Sequence, residues 1–275
     1  MTADPFHPTA FLYEEQGPIA KVTLNRPDVL NALTFETYGQ LRDLFAAMPG
    51  RRRVRVVILT GAGRAFCTGG DVKEIIGRLQ TASDEELLTF TRLTCDTVLK
   101  MRQAPQMIIA SLNGVTAGAG AALALASDFR IASDACRIAF LFVKVGLAGA
   151  DMGVAHLLPR FVGFGRATEL LMRGDFVDAR TAEQWGLVHR AVPAGELEKE
   201  TKAWADALAA GPAEGLRTTK SLMNRTFGFD LAEMLELEAR AQAVCMRGPD
   251  FAEAYRAFLE KRVPSFTHES TEPER

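Results

Sequence analysis

Residues 54–59, Val-Arg-Val-Val-Ile-Leu, form a short apolar run that leads straight into the glycine-rich segment 60–71. The same succession returns at Met107–Leu112, where a second apolar run leads into Asn113-Gly114 and the small-residue stretch 118–126. Runs this short and this apolar read as buried strands, and each delivers a loop to one edge of a sheet. Ile19–Leu24 reads as a strand ended by the turn Asn25-Arg26-Pro27-Asp28, and residues 11–14 are placed to pair with it as a hairpin. Helical patterns lie between the strands. Thr34 is an N-cap followed by Thr37, with Leu41, Leu44, Phe45 and Met48 at helical spacing, and Ser83 with Glu86 opens a helix running to about Met101. Residues 118–126 read as a helix too narrow to bury much, and 129–132 and 137–140 as further strands. This alternation implies an α/β core with parallel strands over residues 1–194. Residues 195–275 read as helices only, at 196–209, 212–225, 231–246 and 251–261. The residues from His268 onward are polar enough to fray.

At 275 residues the chain can bury a sizeable core without staples. Lys and Arg number 32 against 34 Asp and Glu, so there is no general attraction to nucleic acid or to a membrane surface, and an anionic ligand must be held locally. Cys67, Cys95, Cys136 and Cys245 are scattered without the paired spacing of a zinc site, which suggests free thiols in a reducing compartment. Residues 1–8 do not resemble a secretory signal, and no apolar run reaches the ~18 residues of a membrane helix. The expectation is a cytoplasmic protein with no metal, nucleic-acid or membrane partner.

Gly61-Ala-Gly-Arg-Ala-Phe-Cys-Thr-Gly-Gly-Asp71 and Ile108-Ile-Ala-Ser-Leu-Asn-Gly-Val-Thr-Ala-Gly-Ala-Gly120 resemble the two signature loops of the crotonase superfamily, the enoyl-CoA hydratase/isomerase family. The resemblance extends from Asn25-Arg26-Pro27 and Asn31-Ala32-Leu33 through Leu158-Pro159-Arg160, Trp185-Gly186-Leu187-Val188 and Ala257-Phe258-Leu259-Glu260-Lys261-Arg262. It implies a spiral core of ββα turns with a C-terminal helical trimerisation region, and a homotrimer or dimer of trimers. It also implies an acyl-CoA thioester substrate with no separate cofactor, coenzyme A being part of the substrate. By position, the family's oxyanion hole falls on the backbone N–H groups of Gly70 and Ala119, where two preorganised donors would stabilise a thioester enolate. The family more often has glycine at the second of these. The resemblance points to Arg26, Ala32, Arg64, Ala65 and Asp71 near the nucleotide and pantetheine arm. Thr68, Val72, Val115, Gly118 and Phe142 complete the substrate-binding set, and Lys261 reaches a ligand held by a neighbouring subunit. A solvated surface charge is the plain alternative for any one of these basic residues, and a turn-holding role the alternative for Asp71.

Hydratases of this family hold water between two glutamates, and the corresponding positions here are Ala122 and Phe142. Asp151, in Gly146-Leu-Ala-Gly-Ala-Asp-Met-Gly153, matches instead an aspartate that faces the acyl chain in dienoyl-CoA isomerases, epoxyphenylacetyl-CoA isomerases and chlorobenzoyl-CoA dehalogenase. Its alternative role is an N-cap of the following helix. A helix N-terminus would favour the carboxylate and an apolar acyl pocket the acid. One such carboxylate suffices to relocate a double bond, so isomerisation is the favoured reaction, with non-standard hydration or thioester hydrolysis as alternatives. The dehalogenase pattern adds a histidine that this chain lacks, since none lies between His7 and His156. His156 reads as structural, and Cys67 as a buried thiol with no base beside it. Ile75, Ile76 and Leu79 in the stretch 72–79 suggest an apolar acyl group, or plain core.

Overall fold

The computed structural model describes residues 7–226 and 228–266, so the tail from His268 and residues 1–6 lie outside it. β1 (Phe11–Gln16) and β2 (Ile19–Leu24) form the expected antiparallel hairpin, with Phe11 opposite Leu24 and Gln16 opposite Ile19. Gly17 makes the turn at φ 60°, a conformation that suits glycine. β2 then pairs in parallel with β3 (Val56–Gly61), β3 with β5 (Met107–Leu112), β5 with β7 (Phe129–Ser133) and β7 with β10 (Arg190–Val192). Strand β3 begins at Val56 and not at residue 54, because the Val54 N–H turns back to the Arg51 carbonyl. All six residues of β5 are buried, as a central parallel strand requires.

A second sheet of four short strands corrects the reading of residues 60–71 as a single loop. β4 (Ala65–Cys67), β6 (Val115–Ala117) and β8 (Arg137–Ala139) run parallel, and β9 (Val177–Asp178) is antiparallel to β8. The chain therefore climbs as a spiral. Each turn places one long strand in the first sheet and one short strand in the second, and helices follow. The first helix is α1 (Phe35–Ala47), capped by the Thr34 hydroxyl, which accepts from the Thr37 N–H at 3.1 Å. A π-type turn over Val72–Ile76 and α2 (Gly77–Leu79) precede α3 (Asp84–Gln103), where Ser83 and Glu86 form the expected capping box.

α4 (Ala119–Ala126) overturns the expectation that it buries little, since all eight residues are buried. A helix this short is not stable by itself, so its surroundings must hold it. Small side chains let β4, β6, α3 and α5 (Val154–Val162) approach it from different sides. α6 (Phe164–Arg173) and α7 (Ala179–Gln184) follow. α8 (Leu197–Ala209) covers the other face of the long sheet, where Leu197, Ala205 and Ala209 cluster with Val56, Met107, Ile109 and Ile131. α9 (Ala213–Arg225), α10 (Leu231–Arg247) and α11 (Pro249–Glu260) complete the helical C-terminal region.

Candidate active site

Two asparagines shape the loop between β3 and β4. Asn31, at φ 57° and almost wholly buried, donates through Nδ2 to the carbonyls of Ala62 (2.9 Å) and Ala65 (2.8 Å) and accepts the Arg26 N–H at 2.9 Å. Asn113 donates to the carbonyls of Gly63 (2.9 Å) and Ala65 (3.1 Å). A β-carbon on Gly61 would lie 2.3 Å from the carbonyl oxygens of Ala65 and Phe66, so the loop closes only over glycine. Further along, the Leu33 N–H donates to the Gly69 carbonyl and its carbonyl accepts the Asp71 N–H, both at 2.8 Å. Since successive residues of an extended segment direct their N–H groups to opposite sides, the Gly70 N–H points away from Leu33. It makes no hydrogen bond with any described residue.

The second loop arrives beside the first. Gly118, at φ 52° and ψ −123°, donates to the Ala139 carbonyl at 3.0 Å and leads into α4 without a side-chain cap. The Ala119 N–H therefore has no partner within the helix and lies at its positive end. A β-carbon on Gly69 would sit 3.5 Å from this nitrogen, which places the Ala119 amide next to the Gly69-Gly70 peptide. A β-carbon on Gly120 would lie 2.2 Å from the Cys67 carbonyl oxygen, so glycine there lets α4 press against β4. Two unpartnered amides side by side, one on a helix N-terminus, suit an oxygen that becomes negatively charged.

Neither of the two positions that correspond to the family's glutamates carries a titratable group. Ala122 is inside α4, and Phe142 is a buried residue of the turn Leu141–Val145. Asp151 is half-buried, and its Oδ1 accepts only the N–H of its own neighbour Met152, at 2.7 Å. The residue that caps α5 is Gly153, with no side-chain hydrogen bond, which rules out the N-cap role for Asp151. Met152 and Gly153 are consecutive left-handed residues, at φ 47° and 78°, and this uncommon backbone presents Asp151 ahead of the helix. Burial raises the Asp151 carboxyl above the usual carboxylate range, with the Met152 N–H in partial opposition. Of the two opposed tendencies expected from the sequence, desolvation prevails.

Cys67 is fully buried, and burial pushes its thiol up to about 12, which leaves it no nucleophile. His156 is exposed on α5, and burial followed by nearby Arg160 holds it below its ordinary value. His189, which the sequence reading passed over, is structural: its Nδ1 accepts the Arg130 N–H at 3.2 Å.

Arg26 and Asp71 act on the loop itself. Arg26 Nη1 donates to the Ala32 carbonyl at 2.7 Å and to Asp71 Oδ2 at 2.9 Å. Asp71 Oδ1 caps the turn by accepting from Lys73 (2.9 Å) and Glu74 (3.0 Å), and the Glu74 N–H leads the contacts that hold its carboxyl low. Thr68 donates to the Leu30 carbonyl at 3.3 Å. Arg26, Ala32, Thr68, Gly70 and Asp71 thus form one knitted cluster, with buried Ala65 and exposed Arg64 on the same loop and half-buried Val115 at the start of β6. Val72 is 72% exposed at the mouth of this region. Lys261 lies apart, exposed at the left-handed end of α11.

The family model described as Enoyl-CoA hydratase/isomerase matches residues 14–269. The chain is 35% identical over 270 residues to the probable enoyl-CoA hydratase echA12 of Mycobacterium bovis, covering 94% of this chain and 93% of that protein. It is 34% identical to the 1,2-epoxyphenylacetyl-CoA isomerase of Escherichia coli K12, covering 92% and 96%. A crystal structure from Streptomyces coelicolor A3(2) that carries the enoyl-CoA hydratase name superposes with a TM-score of 0.94 at 48% identity, over 97% of each chain. With its two-sheet spiral, its paired glycine-rich loops and these matches along nearly its whole length, the chain belongs to the enoyl-CoA hydratase/isomerase family of the crotonase superfamily.

Proposed function

We propose that this enzyme relocates a double bond in an unsaturated acyl-CoA. The thioester oxygen accepts hydrogen bonds from the Gly70 and Ala119 amides. Asp151 removes a proton from the α or γ carbon, the electron pair moves into the enolate, and the protonated Asp151, in exchange with solvent, returns a proton to the other carbon. No atom is gained or lost. The observation that carries this reading is the half-buried Asp151 carboxyl, raised by burial and not used as a helix cap, where Ala122 and Phe142 leave the family's two glutamate positions without an acid or base. Arg64 and the loop organised by Arg26 and Asp71 flank the coenzyme arm, and Lys261 serves a neighbouring subunit's ligand in a cytoplasmic trimer or dimer of trimers. The E. coli relative, named as an isomerase of an epoxyacyl-CoA, supports isomerisation over hydration without specifying double-bond relocation.

Hydration is the second reading, favoured by the hydratase names of the mycobacterial and streptomycete relatives. A panel of enoyl-, dienoyl- and aryl-CoA esters followed by mass and ultraviolet spectra tests the proposal. Isomerisation changes the spectrum at constant mass. A product heavier by one water supports hydration, and release of free coenzyme A supports a thioesterase, either of which would contradict the isomerase reading.

A further inference from the structure

The segment that leads to Asp151 has almost no hydrogen bonds to hold it. At its near end the Leu147 N–H donates to the Phe142 carbonyl, and at its far end the Val154 N–H donates to the Asp151 carbonyl, both at 3.0 Å. Between these anchors Ala148, Gly149 and Ala150 make no hydrogen bond with any described residue. Ala148 and Ala150 are exposed, and Gly149 between them is half-buried. The course of the segment therefore depends on what Gly149 rests against.

Gly149 rests on α6. A β-carbon there would lie 2.3 Å from the Leu171 carbonyl oxygen, 3.1 Å from the Leu171 carbonyl carbon and 3.4 Å from its Cβ. The two backbones thus meet directly, at the last turn of the helix. Several contacts hold α6 in place. Its Ala167 and Leu170 are buried, and it packs on α5 and on the turn Leu141–Val145. Gly174 ends it at φ 62°, where a β-carbon would stand 3.1 Å from Val143, and Lys144 pairs with Asp175 at 3.0 Å. On the other side of Asp151, Met152 is fully buried. Asp151 accordingly lies between two fixed points, Gly149 on α6 and Met152 in the core.

We propose that Gly149 is a positioning residue: its missing β-carbon lets the segment seat on the Leu171 carbonyl, and that seat sets where the Asp151 carboxyl meets the acyl chain. This rests on the reading of Asp151 as the acid/base group. A β-carbon at Gly149 must push the segment back by about 1 Å to reach an ordinary contact, and a misplacement of that size at a reacting group lowers a rate by up to about 100-fold. The segment yields before α6 does, because it has no hydrogen bonds to lose.

The test is a double-mutant cycle of Gly149→Ala and Asp151→Asn, read with an unsaturated acyl-CoA that wild type turns over and with deuterium uptake at its α or γ carbon, which registers slow rates. Gly149→Ala should lower kcat about 10–100-fold while KM stays within about twofold, since the loops that hold the thioester are untouched. In Asp151→Asn the same substitution should change the residual rate by less than about twofold, because no carboxylate is left to misplace. Wild-type kcat in Gly149→Ala, a rise in KM that accounts for the whole loss, or an equal loss in both backgrounds would overturn the proposal. A melting temperature several degrees below wild type would show that α6 gives way instead of the segment, and would overturn it too. If Asp151→Asn alone keeps wild-type turnover, the acid/base reading fails and takes this proposal with it. A slow Asp151→Asn beside a fully active Gly149→Ala ends this proposal alone and leaves that reading standing.

Discussion

A carboxyl held in a half-buried turn, raised by burial and used for no cap, costs the fold stability at neutral pH. Because the folded-state value lies above the unfolded one, the group contributes stability only at low pH, and that contribution is lost as pH rises through the folded value. Asp151→Asn should therefore be as stable as wild type or more so at neutral pH, checked by thermal unfolding. In wild type, kcat/KM should fall as pH is lowered through the raised Asp151 value, because the base must be ionised to take a proton. Gly70 supports a second test. Its N–H has no protein partner, so Gly70→Pro removes a donor without breaking a structural bond, and kcat should fall about 10²–10³-fold with the circular dichroism spectrum unchanged. The candidate positions Gly70, Ala119 and Asp151 come from the family resemblance, which the glycine-rich loops and the order of motifs carry. The roles of Asn31 and Asn113 were not legible: an amide that ties a loop together looks, in one dimension, like a turn residue.

Elements were legible where capping chemistry or a long apolar run announced them, as at Thr34, Ser83 and Met107–Leu112. The three-residue strands β4 and β6 were not, since a strand that short inside a glycine-rich stretch has no period to read. α4 was misjudged for a related reason. Small side chains suggest little buried area, yet they allow close approach on every side, and burial follows from the neighbours. The tether of α9 was also invisible in the sequence. Lys220 is buried, with Nζ 2.7 Å from both the Gln106 carbonyl and Asp128 Oδ2, and Asp128 also accepts the Ile108 N–H of β5 at 2.8 Å. Lys220→Met leaves Asp128 with Arg102 at 3.5 Å as its remaining ionic partner among the described residues. The variant should lose about 3 kcal/mol of stability, read in denaturant titration, and melt roughly 6–12 °C lower.

At the scale of the molecule, the parallel α/β core was legible from the succession of strand, loop and helix and its spiral was implied by the family resemblance, while the pairing of the short strands into a second sheet was not legible. The C-terminal helices carry apolar side chains that the single chain leaves uncovered. Phe251, Tyr255 and Phe258 recur at i, i+4 and i+7 along α11, with Phe258 81% exposed, and Leu231 and Leu235 are exposed on α10. Such a surface needs a partner, and light scattering at micromolar concentration should give three or six times the monomer mass. A stable monomer would contradict the assembly. The proposed reaction draws on the two loops from successive turns of the spiral and on Asp151 in the turn before α5, a helix that packs against α4. Its most direct test is proton exchange in deuterated water with an unsaturated acyl-CoA that wild type turns over. Wild type should place deuterium at the α or γ carbon while the double bond moves, and Asp151→Asn should slow both by roughly 10²–10⁴-fold. Exchange and turnover at the wild-type rate in Asp151→Asn would contradict the account.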